Sequence, residues 1–446
     1  MRSKLREGVS ACALFGALVM AAQAHASEAE QQSGVAAVAD QGADTVQEII
    51  VTARHREENL QDTPIAITAL SSADLENKGY TQLSDIAAAT PSLTFNGSAP
   101  LSGNPAAASV FLRGIGQLDF TSTTDPGVGI YIDGVYVARS VGAILDLVDL
   151  ERIEVLKGPQ GALFGRNTIG GAINIVSRAP SKTLGGKASL TLGSDDRRGF
   201  QASVDIPVSD TFFTQFSGFG TWRDGYVSTG TPGFRLGNDN KLSGRAQFLW
   251  EPSGVFSARL AVDGTRIREN GSPNVPLQVE GISFYGNTGG FKSIYNNIIL
   301  AANGCRNAAI VNQTTACYGN AWETHDPYKT NSTYPAYADT DVWGAALTLD
   351  WRFGDVNLKS ISAYRELSSA FASDVDGTPY NLLTSDNRID QHQVSQEFQL
   401  NGTSFADRLK WQVGLYYFDE RAVDFTVPGG PIVTVDRRGK RTPVAG

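Results

Sequence analysis

The chain has 446 residues, of which 41% are hydrophobic, and a formal net charge of −9 at pH 7. An acidic balance argues against nucleic acid as a partner and against a polybasic membrane anchor. After residue 26 no apolar run is long enough for a membrane-spanning helix, which leaves an exported soluble protein or a β-barrel.

Residues 1–26 have the layout of a cleaved secretion signal. Basic residues at the start precede a mostly apolar run from Val9 to Ala22, and Ala24-His25-Ala26 is a small-residue cleavage site. The alternative is a transmembrane anchor, but the apolar run is too short to span a bilayer comfortably. We therefore predict export.

Residues 27–59 are predicted to be a disordered leader that contains one β-prone segment. Up to Val46 the leader is small, polar and acidic and has no aromatic residue. The segment that follows reads Glu48-Ile49-Ile50-Val51-Thr52-Ala53 and has no hairpin partner in the sequence. An extended apolar peptide on a flexible leash can add as a strand to the sheet edge of another protein. The alternative is a frayed first strand of the domain that follows.

Residues 60–180 are predicted to form a compact α/β domain. Its first strand candidate is Pro64–Leu70. A short helix follows, with Ser71 as N-cap, Asp74 in the capping-box position and Gly79 as its stop.

Further along this domain we predict a second helix and three more strand regions. The helix has Thr81 as its cap and Pro91 beyond its end. Asp133-Gly134 suits a type I′ turn between two β-rich triplets, which indicates a hairpin. The runs Arg152–Leu156 and Gly171–Ser177 complete a small mixed sheet.

Residues 181–446 show a different texture, with about nine segments in which apolar and polar residues alternate. Such faces fit a soluble sandwich as well as a barrel. Aromatic residues near strand ends, such as Trp250, Trp351 and Tyr417, favour a membrane barrel with an interface girdle. So do connections of contrasting length, since Asp196–Arg198 is tight and Arg268–Thr340 is very long. The polar faces would then line a wet lumen.

The long connection holds both cysteines that remain after export, Cys305 and Cys317. They lie close together in a polar stretch, and export places them in an oxidising compartment. We predict that they form one loop disulfide.

Between Phe111 and Pro180 the chain closely resembles the plug domain of TonB-dependent outer-membrane receptors. The stretches "LRG", "YIDGV", "ERIEVLKGPQGALFG" and "GGAINIV" occur in the order that this family shows. The resemblance implies an N-terminal α/β plug domain followed by a transmembrane antiparallel β-barrel in the outer membrane of a Gram-negative bacterium.

The resemblance also implies roles for particular residues. Residues 48–53 lie where the family carries its Ton box, the segment that the periplasmic TonB energy transducer grips. Arg113 matches the first of two plug arginines that pair with barrel carboxylates, and Lys157 stands at the second. Lysine lacks the bidentate fork of arginine, so this latch would be looser. Solvated plug charges are the alternative for both residues.

By the same resemblance the protein would be an active importer that displaces its plug with energy from the proton gradient. A ferric siderophore is the first expectation for the cargo, while carbohydrates, aromatic compounds and a cobalamin-like cofactor stay open. Asp119 and Phe120, in a plug loop, are candidates for ligand contact. The rival classes are a passive porin and a surface adhesin or phage receptor.

Enzyme chemistry finds no support in the sequence, and we expect no cofactor. There is no GxSxG nucleophile elbow and no HExxH motif, and His55, His325 and His392 are scattered along the chain.

About nine strand segments are far fewer than the 22 of a receptor barrel in this family. The last residues, "DRRGKRTPVAG", are polar and loop-like. We therefore expect an incomplete barrel: the plug and the N-terminal part of the barrel of a longer receptor. If the chain were the whole product, we would expect a non-functional truncated receptor.

Overall fold

The computed structural model describes residues 50–52, 56, 58–80, 82–97, 103–118, 121–142, 149–277, 295–305, 315–380, 383–406, 408–429, 433–435 and 441–443. The predicted signal peptide and most of the predicted leader lie outside these residues. The plug and the large sheet belong to one compact unit.

The plug is built from ten short strands and two short α-helices. The strands are β1 (Ile50–Val51), β2 (Glu58–Asn59), β3 (Ile67–Ser71), β4 (Leu93–Asn96), β5 (Ser109–Leu112), β6 (Ile115–Gly116), β7 (Val128–Ile132), β8 (Val135–Val137), β9 (Leu150–Lys157) and β10 (Gly171–Ser177). The helices are α1 (Ser72–Lys78) and α2 (Gly161–Phe164), with 3₁₀ helices at Leu60–Asp62 and Leu83–Ala89. None of the helices that the structure describes is both long and apolar enough to cross a bilayer.

A five-stranded mixed sheet in the order β3-β9-β10-β7-β8 is the frame of the plug. Strand β10 runs parallel to β7 and antiparallel to β9. Residues Ile153 and Val155 point from β9 into a core that also contains Leu75, Leu83 and Ile86. The opposite face of β9 carries Arg152, Glu154 and Leu156, which alternate with them.

Local sequence signals explain the first plug helix. The Ser71 hydroxyl accepts a hydrogen bond from the backbone N–H of Asp74 at 3.2 Å, and the Asp74 carboxylate accepts one from the Ser71 N–H at 2.9 Å. The Ser71 hydroxyl also donates to the Asp74 carboxylate at 2.7 Å, and this bond, together with the one from the Ser71 N–H, lowers the pKa of Asp74. Gly79 ends α1 in the left-handed conformation with φ of 66°, as a C-terminal glycine does.

The second predicted helix differs in type from the expectation. Residues Leu83–Ala89 form a 3₁₀ helix, and Thr81, the expected cap, lies outside the described residues. The N–H of Gln82 donates to the Asp85 carboxylate at 2.9 Å, so this carboxylate caps the helix start. The predicted hairpin is present, with φ of 50° at Asp133 and 84° at Gly134, as a type I′ turn requires.

The second part of the described chain is a nine-stranded antiparallel sheet in the order β11-β12-β13-β16-β17-β18-β19-β20-β21. Its strands are β11 (Gly185–Gly193), β12 (Arg197–Ser209), β13 (Phe212–Arg223), β16 (Asp239–Ser253), β17 (Phe256–Glu269), β18 (Tyr337–Phe353), β19 (Val356–Asp374), β20 (Thr384–Ser404) and β21 (Leu409–Gly429). Two small hairpins pair β14 (Val227–Ser228) with β15 (Arg235–Leu236), and β22 (Val433–Val435) with β23 (Arg441–Pro443). In the part of the chain that the structure describes, β11 and β21 are each paired on one side, so the sheet is not a closed barrel.

The outer face of this sheet is apolar and exposed. Leucines along it, including Leu190, Leu347 and Leu415, reach 85% exposure. Aromatic pairs lie at two levels on this face. Trp250–Phe256 and Phe256–Trp351 are beside the turn that connects β16 to β17, and Trp343–Tyr364 and Phe200–Trp222 are nearer the opposite edge of the sheet. Exposed leucines between two aromatic levels are typical of a face that contacts lipid.

The inner wall, meaning the face of the sheet that the plug covers, is polar and buried. Five glutamines along it are nearly inaccessible to solvent: Gln215, Gln247, Gln391, Gln393 and Gln399. This inside-out burial pattern confirms the predicted fold class of a plug with a receptor-type barrel wall, here as an open sheet.

The connections of the sheet contrast in length, as predicted. The connections 210–211, 254–255 and 354–355 are short turns at one edge of the sheet, and 224–238, 270–336 and 375–383 are long ones at the other. The tight turn between β11 and β12, residues 194–196, nevertheless lies at the long-loop edge, because β11 and β13 run in the same direction. A short turn alone therefore does not identify the edge.

Candidate functional site

Of the predicted Ton box, residues 48–53, the structure describes Ile50, Val51 and Thr52. These three residues, called the Ton-box segment below after that prediction, are docked on the plug. Ile50 and Val51 pair with Asn59 and Glu58 in a two-stranded ladder. The Val51 side chain is 1% exposed and lies in an apolar cluster with Tyr131 and Leu156. Ile50–Thr52 therefore have defined contacts with the plug, although they belong to the leader that the sequence predicts to be disordered.

A buried carboxylate holds the next residue. Glu154 Oε1 accepts hydrogen bonds from the Thr52 N–H at 2.7 Å and from the Thr52 hydroxyl at 3.1 Å. Arg152 Nε donates to the same oxygen at 2.8 Å, and Asn174 donates to Oε2 at 3.2 Å. Glu154 and Asn174 face each other because β9 and β10 are paired at this position.

The hairpin between β7 and β8 ties the plug to the inner wall through Asp133. Its carboxylate forms ion pairs with Arg245 of β16 and, at 3.6 Å, with Arg259 of β17. Ser177 donates to it from its N–H at 2.9 Å and its hydroxyl at 2.8 Å. Burial alone would raise the pKa of Asp133, but the two guanidinium groups and the Ser177 bonds lower it to about 2.

A second tie lies just after β8. Arg139 donates two hydrogen bonds to Glu420 of β21, from Nε at 2.5 Å and from Nη2 at 2.7 Å. Gln391 donates to the same carboxylate at 3.0 Å, and Gln393 donates to the Tyr136 carbonyl at 2.6 Å. The side chains of Arg139 and Glu420 are only 12% and 8% exposed, so this pair is largely shielded from water.

A third tie anchors the end of the plug. Arg178 donates to both carboxylate oxygens of Asp149 in the plug, each at 2.9 Å, and to Asp205 of β12 at 2.8 Å. The two carboxylates raise the pKa of Arg178 although its partial burial acts in the opposite direction. Gln247 of β16 donates to the Arg178 carbonyl at 3.0 Å.

Aromatic contacts connect the Ton-box cluster to the inner wall. Tyr131 and Tyr136 lie 5.4 Å apart between ring centroids, and Tyr136 meets Phe418 of β21 edge to face at 5.8 Å. The Arg166 guanidinium lies 5.7 Å from the Phe418 ring, a cation–π contact. Burial raises the pKa of Tyr136 to about 12, although Asn167 donates a hydrogen bond to its hydroxyl.

The predicted latch residues do not make the expected contacts in the described part of the chain. Arg113 is exposed in the turn between β5 and β6, and the recorded ion pairs connect neither Arg113 nor Lys157 to a carboxylate of the sheet. Partial burial and the nearby positive charge of Arg113 lower the pKa of Lys157. Within the described residues, Asp133, Arg139 and Arg178 tie the plug to the inner wall, and the sequence motifs singled out none of these three for that role. Their partners lie far away in sequence, and the only signal was the polar face of each strand. The latch of Arg113 and Lys157 stays a prediction.

The predicted ligand-contact residues Asp119 and Phe120 lie outside the described residues. The predicted disulfide is present: Cys305 and Cys317 are joined, and the bond packs against Tyr295 and Leu300. The bond therefore closes a small apolar core inside the longest loop.

A polar cavity of ≈ 740 Å³ separates the plug from the inner wall near the short-turn edge. Thr52, Asp133 and Arg152 line it from the plug, and Arg259 and Lys359 line it from the sheet. Space for solvent thus lies next to the docked Ton-box segment. The described residues contain no group of three side chains able to hold a metal ion.

Comparison with known proteins identifies the plug, the first of the two parts of the described chain. Residues 59–172 match the family model of the TonB-dependent receptor plug domain. The iron-regulated outer membrane virulence protein of Vibrio cholerae is 28% identical over 200 residues, which are 42% of this chain and 29% of that protein. The vitamin B12 transporter BtuB of Vibrio vulnificus is 31% identical over 154 residues, which are 34% of this chain and 24% of that protein.

The fold of both parts together is similar to a solved receptor. The ferric yersiniabactin uptake receptor FyuA from Yersinia pestis superposes with a TM-score of 0.63 at 20% identity, covering 82% of this chain and 50% of that one. The chain thus spans about half the length of this receptor. These comparisons confirm the resemblance to TonB-dependent receptors and the predicted outer-membrane location. By their names, the Vibrio vulnificus relative is a transporter and the Yersinia pestis protein is an uptake receptor.

Proposed function

We propose that this chain works in TonB-dependent import across the outer membrane. A periplasmic energy transducer grips residues 48–53 and pulls, the plug moves away from the inner wall, and a bound ligand passes. The observation that carries this proposal is the docking of Ile50–Thr52 on the plug, where Ile50 and Val51 pair with β2 and Thr52 is bound by Glu154 of β9. A pull on this segment acts on an inner strand of the plug sheet through Thr52.

The ties between plug and wall suit a part that must stay in place until it is pulled. Asp133, Arg139 and Arg178 each make a charged contact with a different region of the sheet. Charge-assisted bonds are strong when the geometry is held and weaken sharply once the partners separate. The plug should therefore close the barrel passively and open under load.

A ferric siderophore is the proposed cargo. The name of the Vibrio cholerae relative records regulation by iron, and the Yersinia pestis receptor takes up ferric yersiniabactin. Asp119 and Phe120 keep their proposed role as ligand contacts. A cobalamin-like cargo is the second candidate, because the Vibrio vulnificus relative is a vitamin B12 transporter.

Substitution of Ile50 by proline tests the pulling step. Proline lacks the N–H that strand addition needs, so energised uptake of a radiolabelled ferric siderophore should fall to the level seen with a protonophore. Ligand binding to intact cells should be unchanged, because residue 50 is 39% exposed and is not at the long-loop side. Ile50→Val, which keeps the N–H, is the matched control and should transport normally. Normal energised uptake by Ile50→Pro would contradict the proposal.

The cargo is tested separately by competition. Labelled ferric siderophore and labelled cobalamin are each offered to cells, with the same compound unlabelled in excess as the competitor. Energised uptake that the competitor suppresses for only one of the two compounds identifies the cargo class. Uptake that continues without an energy source would favour a passive porin instead.

A further inference from the structure

Glu154 is a fully buried acidic residue to which the proposed pulling mechanism assigns no role. Its exposed fraction is 0%, and it lies in the middle of β9, an inner strand of the plug sheet. A buried carboxylate is costly unless every oxygen finds donors and a positive charge is close. Here Arg152 supplies the charge, at 2.8 Å.

The hydrogen bonds of Glu154 are directed at the Ton-box segment. Oε1 accepts three bonds, and two of them come from Thr52. The first comes from the backbone N–H of Thr52, the kind of group that a strand of another protein would need for pairing. Arg152 also donates to the Thr52 hydroxyl at 3.1 Å, so Thr52 is held by both members of the ion pair.

Val51 adds an apolar contact to the same attachment. Its side chain is 1% exposed between plug tyrosines and Leu156, directly before the residue that Glu154 binds. A partner can align with this segment only after Thr52 has left Glu154 and Val51 has left its cluster. Capture therefore competes with docking.

We propose that Glu154 is the positioning residue that holds Thr52 on the plug and so sets how often the Ton-box segment is free to be captured. The proposal deepens the proposed function and rests on it for the identity of the capturing partner. The docking itself is a property of this chain and can be measured without any transport.

The experiment follows the accessibility of residue 51 in outer membranes that contain the full chain with Val51→Cys. The two cysteines of the long loop form a disulfide and Cys12 lies in the predicted signal peptide, so this thiol is the free one in the exported chain. The probe is a membrane-impermeant maleimide added to opened outer-membrane sheets. Labelling is slow while residue 51 is docked, and its rate follows the undocked fraction.

Glu154→Ala in this background should raise the labelling rate on the order of tenfold, as expected from the loss of bonds to a charged group. Thr52→Val keeps the N–H and loses only the hydroxyl, so it should give a smaller increase. Glu151→Ala is the matched control: Glu151 also pairs with Arg152 but makes no described bond to Thr52, so labelling should not change. Ile50→Cys, at an exposed position, reports reagent access and should label fast in every variant.

Equal labelling in Glu154→Ala and its parent would overturn the proposal, and so would an equal increase in Glu151→Ala. Should Glu154→Ala fail to fold, Thr52→Val decides alone, because a change on the leash leaves the plug core intact. Suppose that labelling is faster in Glu154→Ala and Thr52→Val but that neither the parent chain nor any variant shows energised uptake. This result would support the attachment of Thr52 by Glu154 and would contradict the proposed import function.

Discussion

The plug sheet and the nine-stranded sheet use the same β-structure with opposite burial. In the plug, Ile153 and Val155 lie in a sealed core beneath β9. In the large sheet, leucines such as Leu347 are exposed on the outer face while glutamines such as Gln393 are buried on the inner wall. The difference teaches that the medium at each face, and not the backbone, decides where apolar residues belong.

The interface between the plug and the inner wall follows neither of these two burial patterns. Contacts there include small apolar clusters, such as Ala107 and Val141 against Phe371, but the strongest individual contacts are charged. Asp133, Arg139 and Arg178 each bridge from the plug to a carboxylate or guanidinium of the wall. An interface of this kind is specific in position but does not merge with either core.

The largest effect should follow from breaking one tie on one side only. Glu420→Ala removes the wall partner of the shielded Arg139 and leaves it with the Ser122 carbonyl at 2.8 Å and the Asp125 carboxylate at 3.8 Å, both in the plug, which should destabilise plug docking by about 4 kcal/mol. The measurement is the passive leak of a small dye through the receptor in lipid vesicles, which rises when the plug leaves. Asp419→Ala, the adjacent residue on the outer face, should leave the leak unchanged. A leak as large with Asp419→Ala would remove the distinction between the two faces.

A charge on the outer face should cost somewhat less. Leu347→Arg places a guanidinium between the two aromatic levels and should destabilise the sheet by about 3 kcal/mol. Urea unfolding from lipid vesicles, followed by tryptophan fluorescence, measures the change. Ser368→Arg, also on the outer face but beside Asp390 and above the aromatic levels, should change stability by less than about 0.5 kcal/mol. Equal losses would mean that the outer face does not contact lipid.

The smallest of the three effects concerns acidity. Arg259 and Arg245 of the wall, together with Ser177 of the plug itself, lower the pKa of Asp133 to about 2 from its ordinary 3.8, so its contribution to docking is at most about 2 kcal/mol and is fully present above pH 4. It should be lost as the pH falls from about 4 towards 2. Dye leak measured between pH 7 and pH 3 should therefore stay flat down to about 4 and then rise. The Asp133→Asn variant, which lacks this titration, should show no such step.

Local signals predicted much of the plug. The Ser71–Asp74 capping box, the stop at Gly79 and the Asp133–Gly134 hairpin are all encoded within a few residues, and all are present. The strand at Gly171–Ser177 also has the predicted bounds. Alternation alone was enough for the nine strands, because each strand separates lipid from a polar interior.

The site was harder to predict because its contacts join distant positions. Arg139 and Glu420 are 281 residues apart, and Thr52 and Glu154 are 102 apart. The sequence places Glu420 on a polar strand face but contains nothing that selects its partner. Arg113 and Lys157 were predicted as latch residues from a family motif. Such a motif does not show which carboxylates of this chain would pair with them.

The buried glutamines of the inner wall have a mechanical consequence. Gln391 and Gln393 face the plug two positions apart on β20, a separation of about 7 Å. Each amide can both give and receive a hydrogen bond, so it accepts either polarity of a passing peptide group. A plug that shifts along this row can exchange one amide for the next, whereas an ion pair has a single correct match. We therefore expect the plug to slide along the buried glutamines with little net loss of hydrogen bonds, whereas the charged contacts hold it at one position.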